Sequence, residues 1–152
     1  MIELMAVLVI LGFAAMVVVP MVGQTGDIDA SAAARKLTSD VLFAQNYAIT
    51  HQTRVRVTFN TTLKQYTLTE VPAVGSPVVL THPVTRRSYV VTFSVTQGLS
   101  RVRLAAASFA GQGQVDFDSL GAPNQGGTVQ LTSGSASRTV TVAAVTGKVS
   151  VQ

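Results

Sequence analysis

Apolar and polar positions follow three successive patterns along this chain. From Leu4 to Val22 the sequence "LMAVLVILGFAAMVVVPMV" carries no charged side chain. Wound as a helix it reaches about 28 Å at about 1.5 Å per residue, close to the roughly 30 Å hydrocarbon thickness of a bilayer. It is longer than the core of about 7–15 residues that a signal peptide uses. It also lacks a preceding basic region and a clear Ala-x-Ala cleavage site. A buried core helix that is apolar all round must be enclosed on every side, and the rest of a 152-residue chain could hardly do so. The run therefore predicts a membrane-spanning helix. Pro20 removes a backbone donor and clashes with the preceding turn, so a kink or the end of the span is expected there.

The second pattern has a period of three and four. In "VGQTGDIDASAAARKLTSDVLFAQNYAITHQTR" a stripe is formed by Ala30, Ala34, Leu37, Val41, Ala44 and Ala48, the spacing of one helical face. Phe43 and Tyr47 form an i, i+4 pair on an adjacent flank. Gly23 and Gly26 loosen the join, but the two patterns together predict a nearly continuous helix from about Met1 to His51.

At Arg54 the period becomes two. "RVRVTFN" sets Val55, Val57 and Phe59 against Arg54, Arg56 and Thr58, and "KQYTLTE" alternates through Tyr66 and Leu68. The intervening "NTTL" predicts a hairpin, and "VPAVGSP" a loop. Further strands are expected at "SYVVTFSV", "RVRLAA", "QVDFD", "GTVQLTS", "SRTVTVAAV" and "KVSVQ", each alternating or rich in Val and Thr and separated by Gly-rich turns. One long helix followed only by strands gives an α+β class, with a sheet or two packed on the helix.

Composition changes this picture little. The mean hydropathy of +0.41 is concentrated in the first run. Only 12% of residues are charged, a low-charge surface common among β-rich proteins outside the cytosol. With no Cys, disulfides, Cys-ligated zinc and thiol chemistry are excluded. The net charge of +4 comes from eleven Lys and Arg scattered from Arg35 to Lys148, a mildly basic surface rather than the clustered face of a strong nucleic-acid binder.

Candidate chemistry is sparse. Glu3 is the one acid beside the apolar run. Drawn into lipid unpaired, it would cost on the order of 2–3 kcal/mol or more. Asp116 and Asp118 would share one strand face, but calcium wants about six to eight oxygens, so with Asn124 they are expected to be a solvated face. His51 is expected to end the long helix, where a cation suits the dipole, and His82 to lie in a loop. Neither has an acid or nucleophile close in sequence, so no catalysis, metal or cofactor is expected. "GQGQ" at Gly111 lacks the following helix of a phosphate-binding loop and reads as a turn. Arg54/Arg56 and Arg101/Arg103 alternate with apolar residues, and Arg86 and Arg87 are adjacent. Brought together, such arginines would contact DNA phosphates; otherwise they are the polar faces of amphipathic strands, the reading preferred here.

"IELMAVLVILGFAAMVVVP" resembles the N-terminal signature of type IV pilins and type II secretion pseudopilins. Ile2 and Glu3 match the last two residues of that family's Phe-Thr-Leu-Ile-Glu, Met1 stands in the Leu place, and Pro20 falls at its helix-breaking proline. "LFAQNYAITHQTRVRVTFNTTLKQYTL" and "FDSLGAPNQGGTVQLTSGSASRTVTVAAVTGKVSV" resemble the helix end, first hairpin and C-terminal end of the GspH/FimT minor pseudopilins, through Phe117, Gly121 and Gly147. Residues 72–114 match no named pattern. The resemblance implies that Glu3 neutralises the terminal amine of a neighbouring subunit as helices bundle into a filament. It also implies a precursor cut by a prepilin peptidase and N-methylated. The basic leader and Phe-Thr do not precede Ile2, so the chain is expected to be truncated or its start miscalled; as written it could not be processed or methylated. FimT-like members are implicated in DNA uptake through a C-terminal Gly-Arg-x-Arg, where this chain reads Gly147-Lys148-Val149-Ser150.

The expectation is thus an α+β, pilin-like fold. Residues 1–23 form the transmembrane half of the helix, 24–53 its extracytoplasmic half and 54–152 a β-rich domain of antiparallel sheet. The resemblance implies a non-catalytic minor pseudopilin, anchored by a single pass in the bacterial inner membrane with its body in the periplasm. Glu3 and Pro20 would serve assembly, and the implied partners are other pilin or pseudopilin subunits, the peptidase and secreted cargo. Two alternatives stand beside it: a DNA-binding minor pilin using Arg86, Arg87, Arg101 and Arg103, and a membrane-anchored β-domain that never polymerises.

Overall fold

The computed structural model describes residues 2–22 and 25–152, the side chains of residues 2, 14–22 and 25 apart. Two helices come first, α1 (Ile2–Val22) and α2 (Thr25–His51). The join at Gly23 and Gln24, and with it the expected continuity of one shaft, lies outside the described residues. So do the side chains around Pro20, although α1 itself runs through that proline to Val22. Among the described residues no helix is long and apolar enough to cross a membrane.

α2 follows its sequence closely. Ala30, Ala33, Ala34, Leu37, Val41, Ala44 and Ala48 are all at most 1% exposed, and their small side chains let two sheets approach the helix axis. Gly26 marks the closest approach: a Cβ there would lie 2.6 Å from the Ser133 carbonyl oxygen. The helix ends as the expected His51 is reached. Gln52 takes a left-handed φ of 51°, the Gln52 N–H donates to the Ile49 carbonyl and the Thr53 N–H to the Ala48 carbonyl, which is a Schellman closure with Gln in the usual glycine place.

The strands divide between two antiparallel sheets. In the first, β1 (Arg54–Asn60) pairs with β2 (Gln65–Val71) through the predicted hairpin. The short β3 (Val78–Val79) and β4 (Val90–Thr92) both pair with β2. In the second, β5 (Arg103–Phe109) leads the chain back; β6 (Gln114–Phe117) then crosses to the first sheet and pairs with β1. The second sheet is completed by β7 (Gly127–Ser133), β8 (Ala136–Val142) and β9 (Val149–Val151), in the order β5-β7-β8-β9.

Two strand expectations need correction. Of "SYVVTFSV" only Val90–Thr92 is extended, because Phe93–Val95 turns into a 3-10 helix. Successive i→i+3 bonds join Thr96 to Phe93, Leu99 to Thr96 and Val102 to Leu99, and Phe93 and Leu99 are both buried. β5 starts two residues later than expected and carries a bulge between Leu104 and Ala106. Leu104 and Phe109 are both buried although their odd spacing puts them on opposite faces of a regular strand; the extra residue restores the register. Phe109 stacks on Phe59 of the first sheet with ring centroids 5.6 Å apart, tying the two layers. Gly127 makes room for it, since a Cβ there would lie 2.4 Å from the Phe109 ring.

Candidate functional site

Glu3 stands in the first turn of α1, where the positive end of the helix dipole favours a carboxylate. It is exposed, and no ion pair joins it to another described residue. Behind it Leu4, Leu8, Leu11 and Phe13 are 58–68% exposed, an uncovered apolar surface. Such a surface calls for lipid or other helices around it.

Buried polar contacts hold α2 to the β body. Asp40 sits on the buried stripe between Leu37 and Val41 and is 5% exposed. Its Oδ2 accepts from the Tyr66 hydroxyl at 2.5 Å and from Lys36 Nζ at 3.1 Å, and its Oδ1 from the Tyr89 hydroxyl at 3.2 Å. An acid on this face needs such donors, because an unpaired buried carboxylate is costly. Burial first, and the neighbouring Asp40 charge second, push both tyrosines up, Tyr66 well above its ordinary value. Tyr66 lies on β2 and Tyr89 just before β4, so one carboxylate fastens α2 to the first sheet at two places.

The second sheet is fastened at both ends of α2. Arg138 of β8 donates to Asp27 Oδ1 at 2.5 Å and to Ser31 Oγ at 3.2 Å. Gln45 Nε2 donates to the Gly121 carbonyl at 2.7 Å and to the Thr146 carbonyl at 3.3 Å. Gly147 is left-handed, with φ 65°, and a Cβ on it would fall 2.6 Å from Gln45 Nε2. The glycine that the sequence singled out before the last strand thus serves helix docking. Sequence reading had passed over Asp40, Gln45 and Arg138; the one available signal was Asp40 at i+3 from Leu37, a polar residue on an apolar stripe.

The arginines are separated. Arg56 lies opposite Asp116 in the β1–β6 register and grips it with two bonds, Nε to Oδ1 at 2.7 Å and Nη2 to Oδ2 at 2.8 Å. Hydrogen bonding to that carboxylate raises the Arg56 pKa further, desolvation opposing it. Arg54 and Arg56 are therefore not one free cationic face, and Asp116, only 8% exposed, is not on a solvated one. Across the strand end, Asp118 Oδ1 caps the N–H groups of Leu120 and Ala122, and the Asn124 side chain accepts from the Asp116 N–H. Arg86 and Arg87 sit in the connection between β3 and β4 of the first sheet, whereas Arg101 lies just before β5 of the second and Arg103 begins it.

The histidines stand apart. His51 ends α2 as expected and stacks on Tyr47, centroids 3.8 Å apart. His82 Nδ1 accepts from the backbone N–H groups of Val84 and Thr85. Among the described residues no three His, Asp or Glu side chains gather closely enough to hold a metal ion.

Comparison with known proteins agrees with this geometry. A family model described as type II transport protein GspH matches residues 33–146. Among curated proteins none matches. Two solved structures of the minor pseudopilin EpsH from the type 2 secretion system of Vibrio cholerae are similar in fold. One has a TM-score of 0.62 at 14% identity, covering 82% of this chain and 96% of the other. The second has 0.63 at 12%, covering 81% and 92%. The type IV minor pilin FimU of Pseudomonas aeruginosa has a TM-score of 0.55 at 13% identity, covering 83% and 90%. At these identities the likeness is one of fold.

Proposed function

Because the chain belongs to the GspH family of type II transport proteins, we propose that it works as a minor pseudopilin, a non-catalytic subunit of a secretion pseudopilus. Before assembly, α1 holds the protein in the inner membrane with the β body in the periplasm. The uncharged sequence from Leu4 to Val22, about 28 Å as a helix against a bilayer core of roughly 30 Å, supports that reading. On assembly, α1 leaves lipid for a bundle of like helices. There Glu3 meets the terminal amine of a neighbouring subunit exposed by a prepilin peptidase, and Pro20 shapes the far end of the packed segment. The β body rides outside the bundle, carried by α2, and meets other subunits or cargo through its loops. The FimU likeness favours one second reading, the same device in a type IV pilus.

The observation that carries the proposal is the pairing of a lone acid ahead of an uncharged helix with a second helix locked to both sheets. A filament needs this combination: a stem that packs on others and, after it, a helix from which the body cannot swing away. The test is Glu3→Ala in the full chain expressed with the remaining secretion components. Membrane fractionation is expected to be unchanged, while incorporation into sheared filaments falls sharply. Normal incorporation of the variant would refute the charge-pairing role, and absence of the unsubstituted chain from the filaments would favour an anchored domain that does not polymerise.

A further inference from the structure

Between α2 and the turn joining β3 to β4 lies a cleft of about 400 Å3. Lys36, His82, Thr85, Arg87, Ser88 and Thr96 line it, with Val90 and Val91 as its apolar wall. Among the described residues no carboxylate lines it. The nearest acid, Asp40, already accepts from Tyr66, Tyr89 and Lys36. Lys36 spends one of its N–H groups there and remains 31% exposed. Arg87 is exposed, and its guanidinium makes no hydrogen bond among the described residues. His82 Nδ1 is committed to two backbone N–H groups, so the ring hydrogen sits on Nε2, a third donor. The turn is held in shape at a cost: Arg86 takes a left-handed φ of 57°, a strain that persists only when the surroundings enforce it. Here the His82 N–H bonds the Arg87 carbonyl, the Arg86 N–H bonds the His82 carbonyl, and the His82 ring lies against Tyr89 at 4.6 Å.

From this the geometry points to a docking site for an acidic segment of a partner protein, one or two carboxylate side chains entering between Lys36 and Arg87. Arg87 receives a carboxylate through its planar fork and Lys36 as a point charge. Val84 and Val95, each 82% exposed and next in sequence to the lining Thr85 and Thr96, supply apolar contact at the rim, so acids flanked by aliphatic residues fit best. The partner is not a second copy. This chain has seven acids against eleven Lys and Arg, and Asp27, Asp40, Glu70 and Asp116 are already bonded within it. Nor does the site suit duplex DNA, which gains affinity from a track of about six to ten phosphate contacts; the cleft is short and holds two cations. The inference goes beyond the filament reading and needs neither α1 nor Glu3.

The test uses the full chain in non-ionic detergent and a labelled short peptide with two adjacent glutamates between valines, followed by fluorescence anisotropy. Saturable binding is expected, with the glutamine counterpart of the peptide weaker by about tenfold or more, the loss of one charge-assisted contact. Arg87→Gln should weaken the glutamate peptide by a similar factor, and Arg103→Gln, on the other sheet, should not. Equal binding of both peptides overturns the proposal. So does equal weakening by Arg103→Gln, which would mean general surface charge. Binding of a duplex in preference to the peptide, lost in Arg87→Gln and steeply salt-dependent, would assign the cleft to nucleic acid instead.

Discussion

Replacing Asp40 by Ala removes the carboxylate to which two buried tyrosines and a lysine donate. Tyr66 is fully buried, so its hydroxyl is left without the 2.5 Å acceptor and cannot turn to water; such an orphan costs about 1–3 kcal/mol. Tyr89, 3% exposed, loses a longer bond worth about 0.5–1.5 kcal/mol. The partly exposed Lys36 pair adds at most a few tenths, about 0.3–0.5 kcal/mol for an i, i+4 pair. The sum is about 2–5 kcal/mol, a large share of the roughly 5–15 kcal/mol by which a domain is stable. Tyr66→Phe alone should cost about 1.5–3 kcal/mol, the value of one hydrogen bond to a charged group. The double variant should cost less than the two singles together by about 1–2 kcal/mol, because it leaves no orphan hydroxyl at position 66. Urea unfolding of the full chain in detergent measures this. The signal is near-ultraviolet circular dichroism, since the chain has three Tyr and no Trp and every tyrosine lies in the body being unfolded. Additivity within about 0.3–0.5 kcal/mol would refute the claim that this acid fastens helix to sheet.

Two further outcomes are expected. The raised pKa values of Tyr66 and Tyr89 mean that above about pH 10, the ordinary tyrosine value, the unfolded chain releases protons that the folded chain retains. Stability should then fall with rising pH, by up to about 1.4 kcal/mol per unit for each tyrosine. Tyr89→Phe should flatten that fall, and a flat native profile in urea midpoints above about pH 10 would contradict the burial argument. Arg56→Ala should destabilise by about 2 kcal/mol more than Arg54→Ala, because it strands Asp116 with little access to water; thermal melts of the two variants, equal within error, would show the β1–β6 pair to be dispensable.

The sequence carried much of the fold where the signal is local. The stripe from Ala30 to Ala48 repeats at helical spacing, and each of its members is buried. Val55, Val57, Phe59, Tyr66 and Leu68 alternate, and the hairpin follows. The signal failed where two requirements competed. Phe93–Val95 winds into a 3-10 turn where alternation predicted a strand, and Leu104 and Phe109 could share a face only through a bulge.

The acid ahead of the apolar run, the helix and the alternating strands were determined by the chain itself, because each is set by neighbours a few positions away. Only tertiary structure decided which polar residues are anchors and which are surface. Arg56 meets Asp116 from 60 positions away, Tyr89 reaches Asp40 from 49, and Gln45 reaches the Thr146 carbonyl from 101. The worth of a charge depends on how much water its fold leaves around it, and that is settled when the two sheets close over α2.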